Sequence, residues 1–469
     1  MIVMLTASTA SACASLKFPQ EQDKVYSMAV EASLAGNASL ANAAAYQYVL
    51  GSTTEDPRYD RALRLIARSS EELELSYAAS IYYLEIAQAR RDVELVGDAI
   101  RGLEQILRKY PYDEPTIETG FLATEEITGL PFEEQAFVDY YQGLDSIQQN
   151  FDDWGAQRFA QIPQSSPYYA RAQYVLAVRL LARSEVDAAK AAFEQLLARE
   201  DLPEDVGIDC NRTLARLAYS ERDFELALKY YDKIRATAPN DPQLLLEMAW
   251  THYQLGQSHR ALGLLVALDA PAFAELIAPE RFLLEALALR RLCQFEPARR
   301  AAVRLRERLG AALTDLHDGV PLQQSEALRA AAGLRTTGRP VAEFHARLKV
   351  ERAMLDELED SIGPALHKHL VALYDRALVE AQRRENELLG AEMEALAEEL
   401  LAAEEGVRLI LHELGVALLR GRGRPEGPPE QGTFAFLNLT EPVFYLFEGE
   451  FWTDELDDLV VTIEDRCID

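Results

Sequence analysis

The strongest constraint on the fold of this chain is a pair of small residues, twelve positions apart, that recurs along its middle third. The second members of successive pairs are separated by 34, 38, 34 and 37 residues. Small side chains let two helices approach closely, so each pair predicts an antiparallel helical hairpin with a short turn. The pairs are Gly143 and Gly155, Ala177 and Ala189, Ala215 and Ala227, Ala249 and Ala261, and Ala286 and Ala298.

The pattern is clearest in Asn211–Pro239, where Leu214-Ala215 is followed by Phe224-x-x-Ala227, Tyr231 and Pro239. Tyr231 lies one helical turn after Ala227, and Phe159 and Phe193 follow their own small residues at the same distance. This arrangement resembles the tetratricopeptide repeat (TPR). The resemblance implies an all-α fold, a right-handed TPR-like helical solenoid that binds protein partners through extended or helical segments.

The repeat pattern also predicts how the chain is divided. Before the regular repeats, Ala99 with Leu103 and Tyr59-x-x-Ala62 fit second helices of less regular repeats. We expect a signal-like or disordered N-terminus (1–24), degenerate TPR-like repeats (25–135), a regular solenoid (136–310), long helices (311–420), a flexible linker (421–433) and an acidic aromatic C-terminal segment (434–469). We expect the last segment to dock on the helices of its own chain through Phe444–Trp452, and the alternative is that it docks on a partner.

Beyond the repeats, apolar residues alternate by three and four positions, which is typical of a coiled-coil seam. One stripe runs from Val341 to Ile362 with a polar interruption at Glu351, and a second runs from Leu389 to Ala417. Gly363-Pro364 separates them. The pattern predicts a long heptad helix or a helical hairpin, and we expect a hairpin or an oligomerisation arm at residues 341–420. The alternative is a helix packed against the end of the solenoid.

Charge narrows the classes of partner. The formal net charge is −30 over 469 residues. Phosphate binding requires a basic surface, so this charge argues against a nucleic-acid partner and against an anionic bilayer surface. No stretch approaches the ~20 consecutive apolar residues that a membrane-spanning helix needs. We therefore expect a membrane association only through an N-terminal lipid.

The N-terminus resembles the end of a bacterial export signal. Apolar Met1–Leu5 leads to Ala10-Ser11-Ala12-Cys13-Ala14, which fits a cleavage site or a lipoprotein site with Cys13 as the candidate lipidated residue. The pattern departs from a complete signal because no basic residue precedes Lys17 and the apolar run is short. Of the other cysteines, Cys293 falls in a predicted tight turn, where packing explains it. A disulfide from Cys467 would tether the C-terminal tail.

Neither a catalytic nor a metal-binding constellation is evident, so we expect a non-enzymatic protein without a cofactor. In TPR proteins, first-helix residues that point away from the packing face line a concave groove. We call the corresponding positions the first-helix face: Tyr140, Tyr174, Arg212, Arg216, Tyr219, Trp250, Tyr253 and Arg290. Arg212 and Arg216 share one side of a helix, which suits carboxylate recognition. The alternative is that the aromatic residues complete the core while the arginines pair with neighbouring glutamates.

A narrower resemblance emerges from the whole layout. Ser166-Pro167-Tyr168-Tyr169 opens a repeat, and an aromatic acidic run, Phe447–Leu456, precedes Cys467. With the signal-like start and the heptads, these features resemble envelope TPR proteins of gliding myxobacteria and their relatives. The resemblance implies a periplasmic or outer-membrane-anchored scaffold in a multiprotein envelope machine, with motility as the candidate process. The alternative is a cytoplasmic TPR adaptor or co-chaperone.

Overall fold

The structure is a computed structural model that describes residues 18–111, 129–239, 241–270, 273, 278–335, 339–419, 433–436, 444–445 and 459–467. Cys13, most of the predicted N-terminal segment and almost all of the linker at 421–433 lie outside these residues. Within the described residues the chain forms eighteen α-helices and one small antiparallel sheet. The predicted all-α fold class is therefore confirmed, and the small sheet is an addition to it.

The first nine helices take up the N-terminal two fifths of the chain. Their bounds are α1 Gln22–Leu34, α2 Ala38–Gly51, α3 Tyr59–Glu72, α4 Ser76–Ala89, α5 Val93–Lys109, α6 Phe132–Gln148, α7 Asp152–Phe159, α8 Pro167–Ala182 and α9 Val186–Leu197. The next nine are α10 Glu204–Ser220, α11 Phe224–Thr237, α12 Pro242–Gln254, α13 Ser258–Ala267, α14 Glu280–Arg291, α15 Phe295–His317, α16 Glu326–Gly333, α17 Arg339–Ile362 and α18 Pro364–Leu419. The strands are β1 Thr433–Phe436, β2 Phe444–Tyr445 and β3 Leu459–Thr462.

One type of turn joins the two helices in hairpins of the repeats. After α10, Arg222 adopts a left-handed conformation, its N–H bonds to the carbonyl of Tyr219, and the next N–H bonds to the carbonyl of Ala218. This pair of bonds is the Schellman motif, which ends a helix and reverses the chain. The same two bonds and a positive φ recur at Gly36, Glu74, Asn150, Ser184, Gly256 and Cys293.

The predicted small-residue pairs lie at a fixed distance from these turns. Ala215 is seven residues before Arg222 and Ala227 is five after it, and both alanines are completely buried. All ten predicted pair members are buried, as the helix contact requires. The prediction of hairpins that meet through small residues is confirmed.

The N-terminal repeats are more regular than the sequence analysis predicted. The turns at Gly36 and Glu74 place the pairs Ala29 with Ala41 and Ala67 with Ala79 in the same phase, and all four are fully buried. The helix that holds Tyr59 and Ala62, α3, ends at the Glu74 turn, so it is a first helix. The prediction of a second helix there was wrong. Ala99 lies in α5, which follows the second helix α4, so α5 also occupies the place of a first helix.

The Gly143 and Gly155 pair offers a direct test of this close approach. A Cβ atom at Gly155 would lie 2.5 Å from Cγ1 of Ile147 and 2.9 Å from the backbone oxygen of Gly143. We expect Gly155→Ala to lower the free energy of unfolding by about 2 kcal/mol in urea titrations, because the backbone of α6 must move. The matched control is Gly390→Ala in α18, where an added Cβ meets nothing within 4 Å. For Gly390→Ala we expect the free energy of unfolding to rise by about 0.5–1 kcal/mol. Equal effects of the two substitutions would contradict a close approach of α6 and α7.

The chain divides into two units, which do not follow the predicted domain boundaries. Unit 1 comprises Met1–Ala172 and Pro340–Glu385, and unit 2 comprises Gln173–Arg339 and Asn386–Asp469. Each unit therefore combines repeat hairpins with part of the long heptad helices. Two boundaries fall inside the continuous helices α8 and α18, and the third follows Arg339, the first residue of α17.

In unit 1, α17 and the first part of α18 form an antiparallel hairpin. Gly363 has a positive φ, and Pro364 begins α18 directly after it. Arg352 pairs with Asp375 across the hairpin at 3.0 Å. The predicted stripe is buried inside this unit at Leu348, Glu351, Leu355 and Ile362. The hairpin also contacts α4, because Tyr374 and Glu351 both accept hydrogen bonds from its first backbone N–H groups.

In unit 2, the remaining part of α18 packs against α14, α15 and α16. The second heptad stripe is buried there from Met393 to Leu414 in one cluster with Ala302 and Leu305. Gly406 lies directly over Leu283, whose Cδ1 atom would be 2.9 Å from an added Cβ. The chain's own helices thus cover both stripes. Oligomerisation through residues 341–420 stays a prediction.

The C-terminal segment docks on unit 2 through β3 and the residues after it. The sheet has the order β2-β1-β3, and Val461 of β3 belongs to the core that α13, α14 and α15 share. A disulfide joins Cys293, in the turn between α14 and α15, to Cys467. Docking on the same chain is thus observed at residues 459–467. Most of the predicted docking segment, Phe444–Trp452, lies outside the described residues.

Candidate functional site

The two arginines at the centre of the first-helix face point to acidic residues of the next repeat. Arg216 of α10 contacts the Glu247 carboxylate of α12 at 2.6 Å, and Arg212 lies 3.6 Å from the same group. Arg212 also pairs with Asp241. The arginines thus pair with neighbouring carboxylates, as the alternative in the sequence analysis stated. The two arginines differ in solvent exposure, since the Arg216 side chain is 57% exposed and the Arg212 side chain is only 15% exposed.

Asp241 has two roles because it stands immediately before α12. Its carboxylate accepts hydrogen bonds from the backbone N–H groups of Gln243 and Leu244, at 2.9 and 3.1 Å, and so caps the helix. Pro242 supplies the first helical residue, where a missing N–H costs nothing. The cap fixes the carboxylate that orients Arg212, so this arginine is part of the scaffold of the face.

Tyr174 and Tyr219 are half-buried and lie along the same face. The Tyr174 ring packs on Phe193 at 5.6 Å, and burial raises its pKa while a hydrogen bond to Thr213 opposes the rise. The Tyr219 ring contacts Phe224 edge-on at 5.3 Å, and its hydroxyl accepts a bond from Gln254. Together with Arg216 they give a surface with fixed aromatic rings and one accessible guanidinium.

Three members of the first-helix face lie in the part of unit 2 where α18 packs. Arg290 of α14 forms an ion pair with Glu413 of α18. Tyr253 packs against the core that contains α18 residues, and the guanidinium of Arg291 covers its ring at 4.6 Å. Trp250 lies near Glu280. Burial raises the pKa of Glu280, and the negative charge of Glu399 in α18 raises it further. These positions are therefore engaged within the chain.

Tyr140 does not belong to an accessible face. It is 7% exposed and its ring contacts Tyr141, Phe159 and Tyr168 at 5.1, 6.0 and 5.4 Å. Assigning it to a binding groove was wrong, because α6, α7 and the start of α8 enclose it in the core of unit 1. Arg216 is the exposed member of the predicted set, and Tyr174 and Tyr219 are half-buried.

The sequence analysis missed Glu247 and Asp241, which determine the charge of the site. The sequence contains a signal for them in the spacing of opposite charges. Glu247 follows Arg216 by 31 residues, close to one repeat, and Asp60 with Arg91 and Lys190 with Glu221 show the same spacing. Opposite charges at this spacing lie on adjacent elements of successive repeats.

Two further observations concern other kinds of site. In the part of the chain that the structure describes, no three His, Cys, Asp or Glu side chains are grouped so that they could hold a metal ion. Among the helices of the described residues, none combines the length and the apolar character required to cross a membrane.

The repeated Schellman turns and the buried small pairs make this chain a TPR-like helical-repeat protein. The sequence matches no protein-family model, and no similar curated protein was found.

Solved structures similar to the chain include a tetratricopeptide repeat protein from Parabacteroides merdae, with 9% identity, a TM-score of 0.27, and coverage of 62% of this chain and 93% of that one. The APC/C hetero-tetramer Cut9-Hcn1 has 11% identity, a TM-score of 0.21 and coverage of 84% and 96%. A circular tandem repeat protein has 12% identity, a TM-score of 0.18 and coverage of 85% and 91%. At these TM-scores the likeness carries no inference, and the fold assignment depends on the hairpins themselves.

Proposed function

We propose that this chain is a non-enzymatic protein–protein interaction scaffold of the bacterial cell envelope. It binds segments of partner proteins along the first helices of unit 2 and so helps to assemble a multiprotein complex. The observation that carries the proposal is the exposed side chain of Arg216, which shares α10 with half-buried Tyr219 and lies close enough to half-buried Tyr174 to act on its hydroxyl. Tyr and Arg are enriched among the residues that contribute most to binding at protein interfaces.

The ion pair with Glu247 leaves Arg216 able to bind a partner protein. A guanidinium has five N–H donors, and Glu247 accepts from two of the nitrogens, Nε and Nη2. Because the side chain is 57% exposed, its remaining donors are available to a carboxylate or a backbone carbonyl of a partner. The pairing also holds the side chain in one geometry, which reduces the entropy lost on binding.

The disulfide between Cys293 and Cys467 supports the envelope location. Disulfides persist in oxidising compartments such as the bacterial periplasm and are rare in the cytosol. Cys210 is buried and unpaired, and burial raises the pKa of its thiol to about 12, so it is a poor nucleophile. The cytoplasmic adaptor or co-chaperone remains the alternative, and it requires Cys293 and Cys467 to be reduced in cells.

Crosslinking and pull-down from fractionated cells test the scaffold directly. We expect the double variant Arg216→Ala with Tyr219→Ala to capture at least tenfold less of the partner proteins than the wild type, since each side chain contributes on the order of 1–2 kcal/mol. Quantitative mass spectrometry of the captured proteins gives the ratio. The fraction that contains the chain, and alkylation of its thiols before lysis, report the compartment.

The matched control is Arg61→Ala, which removes an exposed arginine of α3 in unit 1. Arg61→Ala should leave capture unchanged. Equal capture by the wild type and the folded double variant would contradict a role of this face. Recovery from the soluble cytosolic fraction with both cysteines reduced would favour the adaptor.

A further inference from the structure

The disulfide between Cys293 and Cys467 attaches a short segment, residues 459–467, to the helices of unit 2. We call these residues the tail segment. Cys467 is exposed to solvent, whereas Cys293, in the turn between α14 and α15, is half-buried. Accessibility to an attacking thiolate is one of the features that separate labile disulfides from inert ones. The Cys467 sulfur is therefore the point at which an external thiol can open this bond.

The noncovalent attachment of the tail segment to the helices is weak. Of the side chains at residues 460–467, only that of Val461 is buried. Backbone groups of the segment make the other polar contacts: the carbonyls of Val461 and Glu464 and the N–H of Arg466 meet the His259 ring, the Gln294 side chain and the Leu292 carbonyl at 2.9, 2.6 and 3.1 Å. Water replaces such bonds at little net cost. Ordering the backbone of the whole segment costs more free energy than the burial of one valine returns, so the disulfide decides whether the segment stays bound.

The tail segment covers apolar side chains of unit 2. Val461 belongs to one buried cluster with Leu262 of α13 and Leu289 of α14, and Ile463 packs against that cluster. β3 also pairs with β1, which comes from the same C-terminal part of the chain and can move together with it. Departure of the segment therefore increases the exposure of Leu262 and Leu289 to water.

The seat of the disulfide is suited to repeated opening and closing. The turn at Cys293 is formed by backbone hydrogen bonds from its own N–H to the Arg290 carbonyl and from the next N–H to the Leu289 carbonyl, and neither depends on the sulfur. Cys210 of α10 is completely buried, and burial raises the pKa of its thiol to about 12. Its thiolate is scarce, so Cys210 competes poorly for either sulfur and the original pair re-forms.

We propose that the disulfide between Cys293 and Cys467 is a redox-sensitive latch, which holds the tail segment over the apolar residues of α13 and α14 and releases it when an external dithiol reduces the bond. A thiolate of the dithiol attacks Sγ of Cys467, the S–S bond breaks, and Cys293 leaves as a thiolate that takes up a proton. The second thiol of the reductant then displaces Cys467 from the mixed disulfide in the same way. The dithiol is oxidised to a disulfide, and its two electrons leave both cysteines as thiols.

Dithiothreitol, a small dithiol, tests the latch on the full chain without denaturant. We expect reduction within about tenfold of the rate measured for the urea-unfolded chain, because Cys467 is exposed. Alkylation with iodoacetamide and peptide mapping should then find Cys293 and Cys467 modified and Cys210 protected. Hydrogen exchange of residues 459–467 should become at least tenfold faster, while the helical circular dichroism signal stays unchanged. Fluorescence of the dye anilinonaphthalene sulfonate should rise, since Leu262 and Leu289 become exposed.

Reversal and variants show whether this one bond is responsible. Exchange of dithiothreitol for its oxidised form should restore the disulfide and the slow exchange. The double variant Cys293→Ser with Cys467→Ser should exchange fast with and without dithiothreitol, and Cys210→Ser, the matched control, should respond as the wild type does. Reduction only in denaturing urea would overturn the latch. Slow exchange of residues 459–467 in the reduced chain, or loss of the helical signal on reduction, would also overturn it, because the bond would not then control this segment alone.

Discussion

Glu351→Ala should lower the free energy of unfolding by about 3–4 kcal/mol, since it removes one partner from a buried ionic and hydrogen-bonded cluster. Glu351 is 2% exposed and its carboxylate accepts hydrogen bonds from the Tyr77 backbone N–H at 3.0 Å and from the Tyr374 hydroxyl at 2.5 Å. Arg347 contacts its other oxygen at 2.7 Å. Burial raises the pKa of Glu351, while Arg347 and the hydrogen bonds lower it.

The N-terminus of α4 explains why the loss of the Glu351 carboxylate should destabilise the fold this much. Leu75 stands at the capping position of α4 and has no side chain that can accept a hydrogen bond from the helix. Glu351 of α17 supplies the missing acceptor from a distance of 274 residues in sequence, and its charge suits the positive end of the helix. Alanine would leave these N–H groups and Arg347 without that partner.

Urea titrations of single and double variants would measure the loss in the free energy of unfolding and the coupling between the two substitutions. Tyr374→Phe removes the hydroxyl that bonds both Glu351 and the Ala78 N–H, so the two substitutions should couple by at least about 0.5 kcal/mol. Glu351→Gln keeps a hydrogen-bond acceptor and should lower the free energy of unfolding by less than Glu351→Ala does. Glu359→Ala, at an exposed acidic residue of the same helix, is the control and should change stability by less than about 0.5 kcal/mol. Additive effects of Glu351→Ala and Tyr374→Phe would contradict the cluster.

Loss of the disulfide should release the C-terminal segment and lower the free energy of unfolding by about 3 kcal/mol. The bond joins residues 174 positions apart, so its removal greatly increases the conformational freedom of the unfolded chain. Cys293→Ser isolates the covalent bond from the turn, because Ser184 occupies the equivalent left-handed position between α8 and α9. Hydrogen exchange of residues 459–467 should become faster, which mass spectrometry detects.

Three comparisons make the disulfide result specific. Cys467→Ser should reproduce the effect of Cys293→Ser, the double variant should add nothing, and reduction of the wild type should match both. Cys13→Ser is the control and should leave exchange at residues 459–467 unchanged. Slow exchange there in the reduced wild type would contradict this prediction. The contact of the His259 ring with the Val461 carbonyl and the hydrogen bond from Gln294 to the Glu464 carbonyl would then suffice to hold the segment.

The repeat architecture was readable from local sequence because it depends on local geometry. A hairpin of two helices needs small residues at a fixed distance on either side of its turn, and that distance is visible as Ala215 and Ala227 or Ala249 and Ala261. The same rule would have found Ala29 with Ala41 and Ala67 with Ala79.

The heptad helices show where local pattern is insufficient. A stripe such as Met393 to Leu414 predicts that one side of a helix is covered, but an identical stripe is needed whether the cover is a second chain or the same chain. Only the position of α18 against α14 and α15 resolved this. The role of Glu351 is similar, since the heptad pattern marked it as an interruption and its partner, the start of α4, is remote in sequence.

For the candidate site, the sequence predicted the residue types and the structure determined which of them are accessible. Tyr140 and Tyr174 each stand three residues before the first small residue of their pair, yet Tyr140 is buried and Tyr174 is only half-buried. Exposure depends on the neighbours that each repeat meets, and no local pattern contains that information.

The sequence by itself thus determined the helical hairpins, their phase and the all-α class, because backbone turns and helix contacts are set by residues close together in the chain. Tertiary structure alone decided what covers each surface: α18 over α14, the C-terminal strand on α13, and Cys467 next to Cys293. These contacts join segments separated by more than a hundred residues, and their free energy depends on packing that only the folded chain defines.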